Sequence, residues 1–307
     1  MKKVLIYILF TFLFSSCGTG IESTPKITEK DVKKAMAQAE NLSPGSFLKI
    51  GRDSVPVWKK GKRFFVTDDQ VKLIFSYSPD YDADTLHLAG KYLVYDGYST
   101  GSLLDNRKEL NLKFSDGKHG FIYASGKTLQ EFTSRYTIPF LIDEDLVKSV
   151  ASQLAGKKFF IKTSIWYDPQ SERMIDGRQF IEVKIDRVLP GNKVLPLKVL
   201  FTASDNGQQG FLWMSSGETA LHSRDFDSMF SLHDIHQDFP GISRDVWQHI
   251  IHREVVPDMT KEECRLAKGA PRSINQLPDP TGLREYWYYD GGSYLFFQDG
   301  ILKQFRR

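Results

Sequence analysis

Gly97-Tyr98-Ser99-Thr100-Gly101 spells the Gly-x-Ser-x-Gly pattern of a hydrolase nucleophile. That chemistry needs the serine at the top of a sharp strand-to-helix turn on a parallel sheet. The residues around Ser99 read as antiparallel strand instead, which favours a glycine-rich turn. Ser125-Gly126-Lys127-Thr128 looks like the end of a phosphate-binding loop, but Phe121 stands where the pattern requires glycine, so it too reads as a turn. Asp80-Tyr81-Asp82-Ala83-Asp84 opens like a calcium loop, yet Thr85 and Lys91 occupy the positions that need glycine and glutamate; a solvated acidic turn is the expectation. His233, His236, His249 and His252 fall within twenty residues and are four of the seven histidines. His233-x-x-His236 and His249-x-x-His252 each offer two imidazoles to zinc, with Asp234 or Asp238 as a carboxylate ligand. No glutamate lies between His249 and His252 as a zincin would need. A polar junction between two domains is the simpler expectation for the four.

Cys17 offers different chemistry. Lys2 and Lys3 precede an apolar run from Val4 to Phe14, and Ser15-Ser16 follow it. That is the basic region, apolar region and small-residue cleavage site of a secretory signal. The run is about half of the ~20 apolar residues that a membrane span takes. With cysteine directly after the small residues, Phe14-Ser15-Ser16-Cys17 resembles the lipobox of bacterial lipoproteins. The resemblance implies a diacylglycerol on the Cys17 thiol, cleavage before it, and acylation (palmitate among the acyl chains) of the new N-terminus. A plain signal peptide with a chance cysteine is the alternative.

The elements that must hold these residues are bounded by composition. The 307 residues are 41% hydrophobic and 13% aromatic, enough to bury a sizeable core in two or three domains. Loss of Lys2 and Lys3 with the signal lowers the formal charge from +3 to +1, which argues against a nucleic-acid partner and against a polybasic membrane tether. Two cysteines exclude a disulfide framework, and Cys264 reads as a small buried hydrophobe in a helix. Five Trp, thirteen Tyr and 22 Phe suit carbohydrate or protein binding, although core packing accounts for most of them.

Residues 1–16 are read as the signal and 17–43 as a polar tether with one short amphipathic helix, whose N-terminus is Thr28-Glu29-Lys30-Asp31. From Ser46 to about Phe230 short β-rich runs dominate, among them Phe47–Ile50, Arg63–Val66 and Val71–Phe75. An internal repeat runs through them. Leu88-Ala89-Gly90-Lys91 recurs as Leu154-Ala155-Gly156-Lys157, and Phe114–Phe121 recurs around Phe201 to Phe211. Ser125-Gly126-Lys127-Thr128 recurs as Ser216-Gly217-Glu218-Thr219. We therefore expect an α+β, mostly β chain. Two tandem antiparallel modules, each an SH3-like barrel or sandwich, span 44–140 and 141–241, with an insert near Pro169–Gln179 in the second.

The final part, 242–307, reads as two helices, the second capped by Thr260-Lys261-Glu262-Glu263 and ended by Gly269 and Pro271, then a three-stranded meander. Met259-Thr260-Lys261-Glu262-Glu263, Arg265-Leu266, Gly269-Ala270-Pro271, Glu285–Tyr289 and Tyr294–Leu302 resemble the SmpA/OmlA-type, BamE-like small lipoprotein domain, over roughly the final fifth of the chain. The family usually has glycine where Asp258 stands, so the local backbone is expected to differ there. The resemblance implies a non-catalytic protein-binding or scaffolding domain of an envelope lipoprotein. The expectation is thus a lipid-anchored protein of the outer membrane, facing the periplasm, that binds an envelope protein and uses no cofactor or catalytic residue. The alternatives are a metal-dependent or serine hydrolase and a glycan- or peptidoglycan-binding lipoprotein.

Overall fold

The computed structural model describes residues 47–51, 53–76, 85–102, 108–133, 136–216, 224–279 and 282–306. Cys17, the tether and its expected helix, and the Asp80–Asp84 run lie outside these residues. The described chain is α+β and mostly β, with three antiparallel sheets, each over its own core.

The first sheet has the order β4-β3-β2-β1-β5, with β1 at Arg63–Val66, β2 at Tyr92–Ser102, β3 at Lys108–Ser115, β4 at Gly120–Ala124 and β5 at Leu141–Asp143. Leu110, Leu112 and Phe114 alternate inward from β3, as a half-buried strand requires, and pack with Phe64, Tyr95 and Phe121. The β-rich run Val71–Phe75 is not a strand. Asp68 accepts a hydrogen bond from Gln70 N at 2.8 Å and starts a 3-10 helix over Asp69–Ile74, which buries Val71 and leaves Leu73 83% exposed. A capping aspartate there outweighs β propensity.

The second sheet follows a helix that the sequence reading missed, α1 (Glu144–Leu154), capped by Asp143, whose carboxylate accepts Asp145 N at 2.9 Å. Its buried face is Leu146, Val147, Val150 and Leu154. Then come β6 (Lys158–Ile161), the hairpin of β7 (Ile165–Tyr167) and β8 (Met174–Asp176), β9 (Ile181–Pro190), β10 (Leu197–Ala203), β11 (Gln209–Met214), the short α2 (Phe226–Met229) and β12 (Phe230–Ser231). The sheet order is β12-β6-β9-β10-β11-β7-β8. Phe47–Ile50, expected as a strand, is extended but joins no sheet. Its Lys49 backbone pairs with the Gln153 side-chain amide, and Phe47 packs its ring on Phe159 and Phe226.

The two sheets share a four-stranded frame: the Phe114–Phe121 repeat and its copy up to Phe211 fall on the third-to-fourth-strand hairpin of each, whereas the Leu88–Lys91 match is out of register. Gly61 N donates to Tyr95 O and Tyr95 N to Lys62 O; in the second sheet Gly156 N donates to Ile185 O and Ile185 N to Lys157 O. β1 thus matches β6, and both have the same alternation of exposed and buried residues. Next, β2 matches β9, and each carries a one-residue bulge opposite the third strand, at Asp96 and Asp186. Leu88–Lys91 leads instead into the second strand of its sheet, so its true counterpart for Leu154–Lys157 is not there but at Gly61-Lys62. All three glycines have left-handed φ (92° at Gly61, 79° at Gly90 and Gly156), a strand-entry turn that any copy can reuse.

The third core lies between α3 (Arg244–Ile251), α4 (Lys261–Lys268) and a sheet of β13 (Ser273–Asp279), β14 (Gly282–Tyr288), β15 (Tyr294–Gln298) and β16 (Ile301–Arg306) in sequence order. Both helix caps are as expected: Ser243 Oγ accepts Val246 N, and Thr260 and Glu263 exchange bonds in a capping box. The sheet has four strands rather than three. β13 is an edge strand of exposed residues that shows no apolar alternation, and it tolerates Pro278 because an edge needs no second partner. Asp258 holds φ 71°, a left-handed conformation that glycine adopts most readily.

Candidate functional site

A recess lined by both polar and apolar side chains sits at the seam of the first two sheets, and β5 builds it. Side chains of a strand alternate in direction. Accordingly Leu141 enters the first core and Ile142 the second. Before them the chain turns at Ile138-Pro139-Phe140, with Leu141 N donating to Ile138 O at 3.1 Å. Phe140 has φ 64°, a left-handed conformation that costs an L-residue about 1–2 kcal/mol. It is held there because its carbonyl accepts both Thr67 N at 2.9 Å and Thr67 Oγ1 at 3.1 Å.

The β9–β10 loop forms the opposite wall. Asn192 Oδ1 accepts the N–H groups of Val194 and Leu195, both at 2.9 Å, and Gly191 is obligatory because a Cβ there would meet Leu195 O at 2.1 Å. This presents Lys193 and Val194, the latter 52% exposed. The recess between the walls has a volume of about 150 Å³ and is lined by Trp58, Tyr136, Ile138, Phe140, Lys193 and Val194 among others. A cavity near that size accepts one benzene-sized group, whereas sites for larger small molecules run to about 300–1,000 Å³.

Electrostatics below the recess are structural. Lys62, with a side chain only 7% exposed, pairs with Asp143 Oδ1 at 2.9 Å and Asp145 Oδ2 at 2.5 Å. Burial alone would lower the lysine pKa, but hydrogen bonds to Asp145 and Asp143 outweigh it and raise the value. The Tyr136 hydroxyl donates to the Tyr123 hydroxyl at 3.0 Å, and burial pushes Tyr136 well above the ordinary phenol range.

The residues singled out for chemistry are not brought together. Ser99 lies inside the antiparallel strand β2 opposite Asn111, three residues before the strand's end at Ser102, so it does not sit on the strand-to-helix turn that the hydrolase elbow needs. Ser125 Oγ donates to Leu110 O, and Thr128 starts the 3-10 helix Leu129–Glu131 with a capping box; this is a turn. The four histidines each have a separate partner. His233 Nε2 lies 2.8 Å from Asp238, His236 Nδ1 2.7 Å from Asp234, His249 Nδ1 3.1 Å from Glu254, and His252 Nδ1 2.7 Å from Gln248 O. Among the described residues no group of three or more His, Cys, Asp or Glu is placed to hold a metal. Cys264 is fully buried in α4, and desolvation raises its thiol pKa to about 12.

A joint that the sequence did not signal binds the second sheet to the third core. Arg178 grips Asp205 and Asn206 of the β10–β11 hairpin. Next to it, buried Gln179 donates its side-chain amide to Ile250 O at the end of α3 and to Leu266 O and Ala267 O at the end of α4. Phe180 then enters the third core edge-on to Trp247. One amide thus serves carbonyls that two helix ends leave without intrahelical partners.

Comparison with models of protein families, with curated proteins and with solved structures finds no match for this chain.

Proposed function

We propose that this chain is a non-catalytic binding protein of the cell envelope, held at a membrane through acyl chains on Cys17, with the seam recess as the anchor point for a protein partner. The observation that carries the reading is the size and lining of that recess. About 150 Å³ walled by Trp58, Ile138, Phe140 and Val194 suits one large apolar or aromatic side chain presented by a partner surface. The charged groups beneath it, Lys62 and Asp143, are tied to each other and to a helix cap. The strained Phe140 shapes one wall, and strain of this kind gathers at ligand sites.

The finer reading of the architecture is two SH3-like modules over 44–140 and 141–241, descended from one duplicated unit, followed by a BamE-like domain over 242–307. Shared bulges at Asp96 and Asp186 support the duplication. The left-handed Asp258 where the family carries glycine supports the resemblance. On this reading the protein faces the periplasm from the outer membrane.

The test is a photo-crosslinking residue at Val194 in intact cells, with exposed Leu232 as the control position. A discrete protein adduct from position 194 and none from 232 is the expected result. Equal or absent adducts at both positions would refute a partner seated at the seam.

A further inference from the structure

The seam recess is walled mainly by rings and aliphatic groups, but β5 also brings a carboxylate to it. The register of β5 with β1 sets Asp143 opposite Phe64. Facing residues of an antiparallel pair share one side of the sheet, as do residues two apart on a strand. The Asp143 side chain therefore stands with Phe64 and Leu141, which line the recess with it. It keeps 18% of its surface exposed, so it is not sealed into either core.

The two oxygens of that carboxylate are used differently. Oδ1 accepts Asp145 N at 2.9 Å, which caps α1, and lies 2.9 Å from Lys62 Nζ. Oδ2 receives no hydrogen bond among the described residues. An ionised carboxylate has about four lone-pair sites, so Asp143 keeps acceptor capacity there. Other polar groups of the lining are engaged. The Trp58 ring N–H donates to Asp53 O at 2.9 Å, Asn192 Oδ1 accepts two loop N–H groups, and the Tyr136 hydroxyl donates to Tyr123.

Charge decides which kind of donor suits Oδ2. Lys62 already neutralises Asp143, and its ammonium lies 6.0 Å from the Trp58 ring and 5.9 Å from the Phe64 ring. A cation brought to Oδ2 would be held against that ammonium, with Lys193 on the opposite wall. The outlying carboxylates, Asp145 on Lys62 and Asp68 on Lys193, reach solvent, where water and salt screen them. A neutral N–H or O–H meets no such repulsion and still gains a charge-assisted bond. Buried tryptophan and tyrosine need a partner of this kind for their polar end, whereas phenylalanine and leucine would leave Oδ2 desolvated and unserved.

We infer that the side chain seated in the recess is an aromatic that carries a neutral hydrogen-bond donor, tryptophan or tyrosine, with Asp143 Oδ2 as its acceptor. This rests on the partner seat proposed above and names the chemistry that the seat selects. Asp143 is thus a specificity-determining residue as well as the cap of α1.

The test titrates the folded chain with three probes and follows the Val194 amide by NMR: indole, benzofuran (the same shape without the N–H) and benzylammonium. Indole should bind saturably and at least about tenfold more tightly than benzofuran, the scale of one hydrogen bond to a charged group. Asp143→Asn keeps an oxygen for the helix cap and should bring indole down to the affinity of benzofuran. If that variant folds poorly, the indole–benzofuran comparison in the unaltered chain still decides. Benzofuran binding as tightly as indole, benzylammonium binding more tightly, or an indole preference that survives in folded Asp143→Asn would overturn the donor assignment and leave the seat standing. Failure of all three probes to shift Val194 would overturn both.

Discussion

At the scale of single residues, Asp69 is a carboxylate with a structural role that the sequence did not flag. Its carboxylate accepts the N–H groups of Ala89 and Leu88 and faces His87, and these bonds, Ala89 first, lower its pKa to about 2. A depressed carboxylate contributes stability above its unfolded value of 3.8 and loses it as pH falls through about 2. We expect Asp69→Asn to reduce the dependence of the unfolding midpoint on pH across that window, measured by denaturant titration at a series of pH values. Lys62 has the opposite sign. Its raised pKa leaves its contribution intact at neutral pH, fading only as pH rises above the ordinary lysine value of 10.5. Lys62→Met should therefore destabilise the protein by about 1–3 kcal/mol at pH 7, less than for a fully buried pair because Asp145 is exposed to solvent. Asp258 makes a backbone prediction. At φ 71° a β-branched residue is strained, so Asp258→Val should cost about 1–2 kcal/mol, while Asp258→Gly should be tolerated despite losing its surface contact with Lys303.

At the scale of elements, what could be read from the chain is what was encoded locally. Thr260 with Glu263, Ser243 before Val246, and Gly269 before Pro271 are caps whose chemistry sits within a few residues, and both helices formed where they predicted. Elements that depend on distant partners were misread. Val71–Phe75 has strand composition but follows a capping aspartate. Phe47–Ile50 finds its hydrogen bonds on Gln153, about a hundred residues away. β13 is an edge strand with no apolar period, and α1 hid beside a repeat match that pointed to the wrong strand. The joint at Gln179 belongs to the same class, because a lone glutamine gives no sequence signal for three carbonyls at two helix ends. Gln179→Ala removes the side-chain donor to Leu266 O and Ala267 O, while Ile250 O keeps the Arg253 N–H at 3.0 Å, and the change should cost about 1–3 kcal/mol. Hydrogen exchange should show the loss in α3 and α4 first, with the first sheet unaffected; uniform loss of protection would mean the joint is not local.

At the scale of the whole molecule, three cores in sequence are linked by segments that serve two neighbours at once. β5 divides its side chains between the first and second cores, and Arg178-Gln179-Phe180 spans the second sheet and the third core. Such sharing suits a protein that presents fixed surfaces to partners. The seam recess exists only because segments around the first and second sheets both contribute walls, and no local motif announces it: Phe140, Val194 and Trp58 carry no signal until the fold brings them together. The proposed anchor is the reverse case, since it rests on the sequence alone, on the apolar run that leads into Ser15-Ser16-Cys17. Cys17→Ser should abolish palmitate labelling and release the chain from the membrane fraction, checked by metabolic labelling and fractionation; retained label would show acylation elsewhere.

The claim on which the rest depends is that a partner seats a side chain in the seam recess, and the affinity of the protein captured from position 194 measures it most directly. Val194→Asp places a charge at the mouth of the recess, at a half-exposed site where folding should be little affected. The account predicts at least about a tenfold loss of affinity, the scale of a hot-spot change, with an unaltered thermal unfolding midpoint. An unchanged affinity in the folded variant would contradict it.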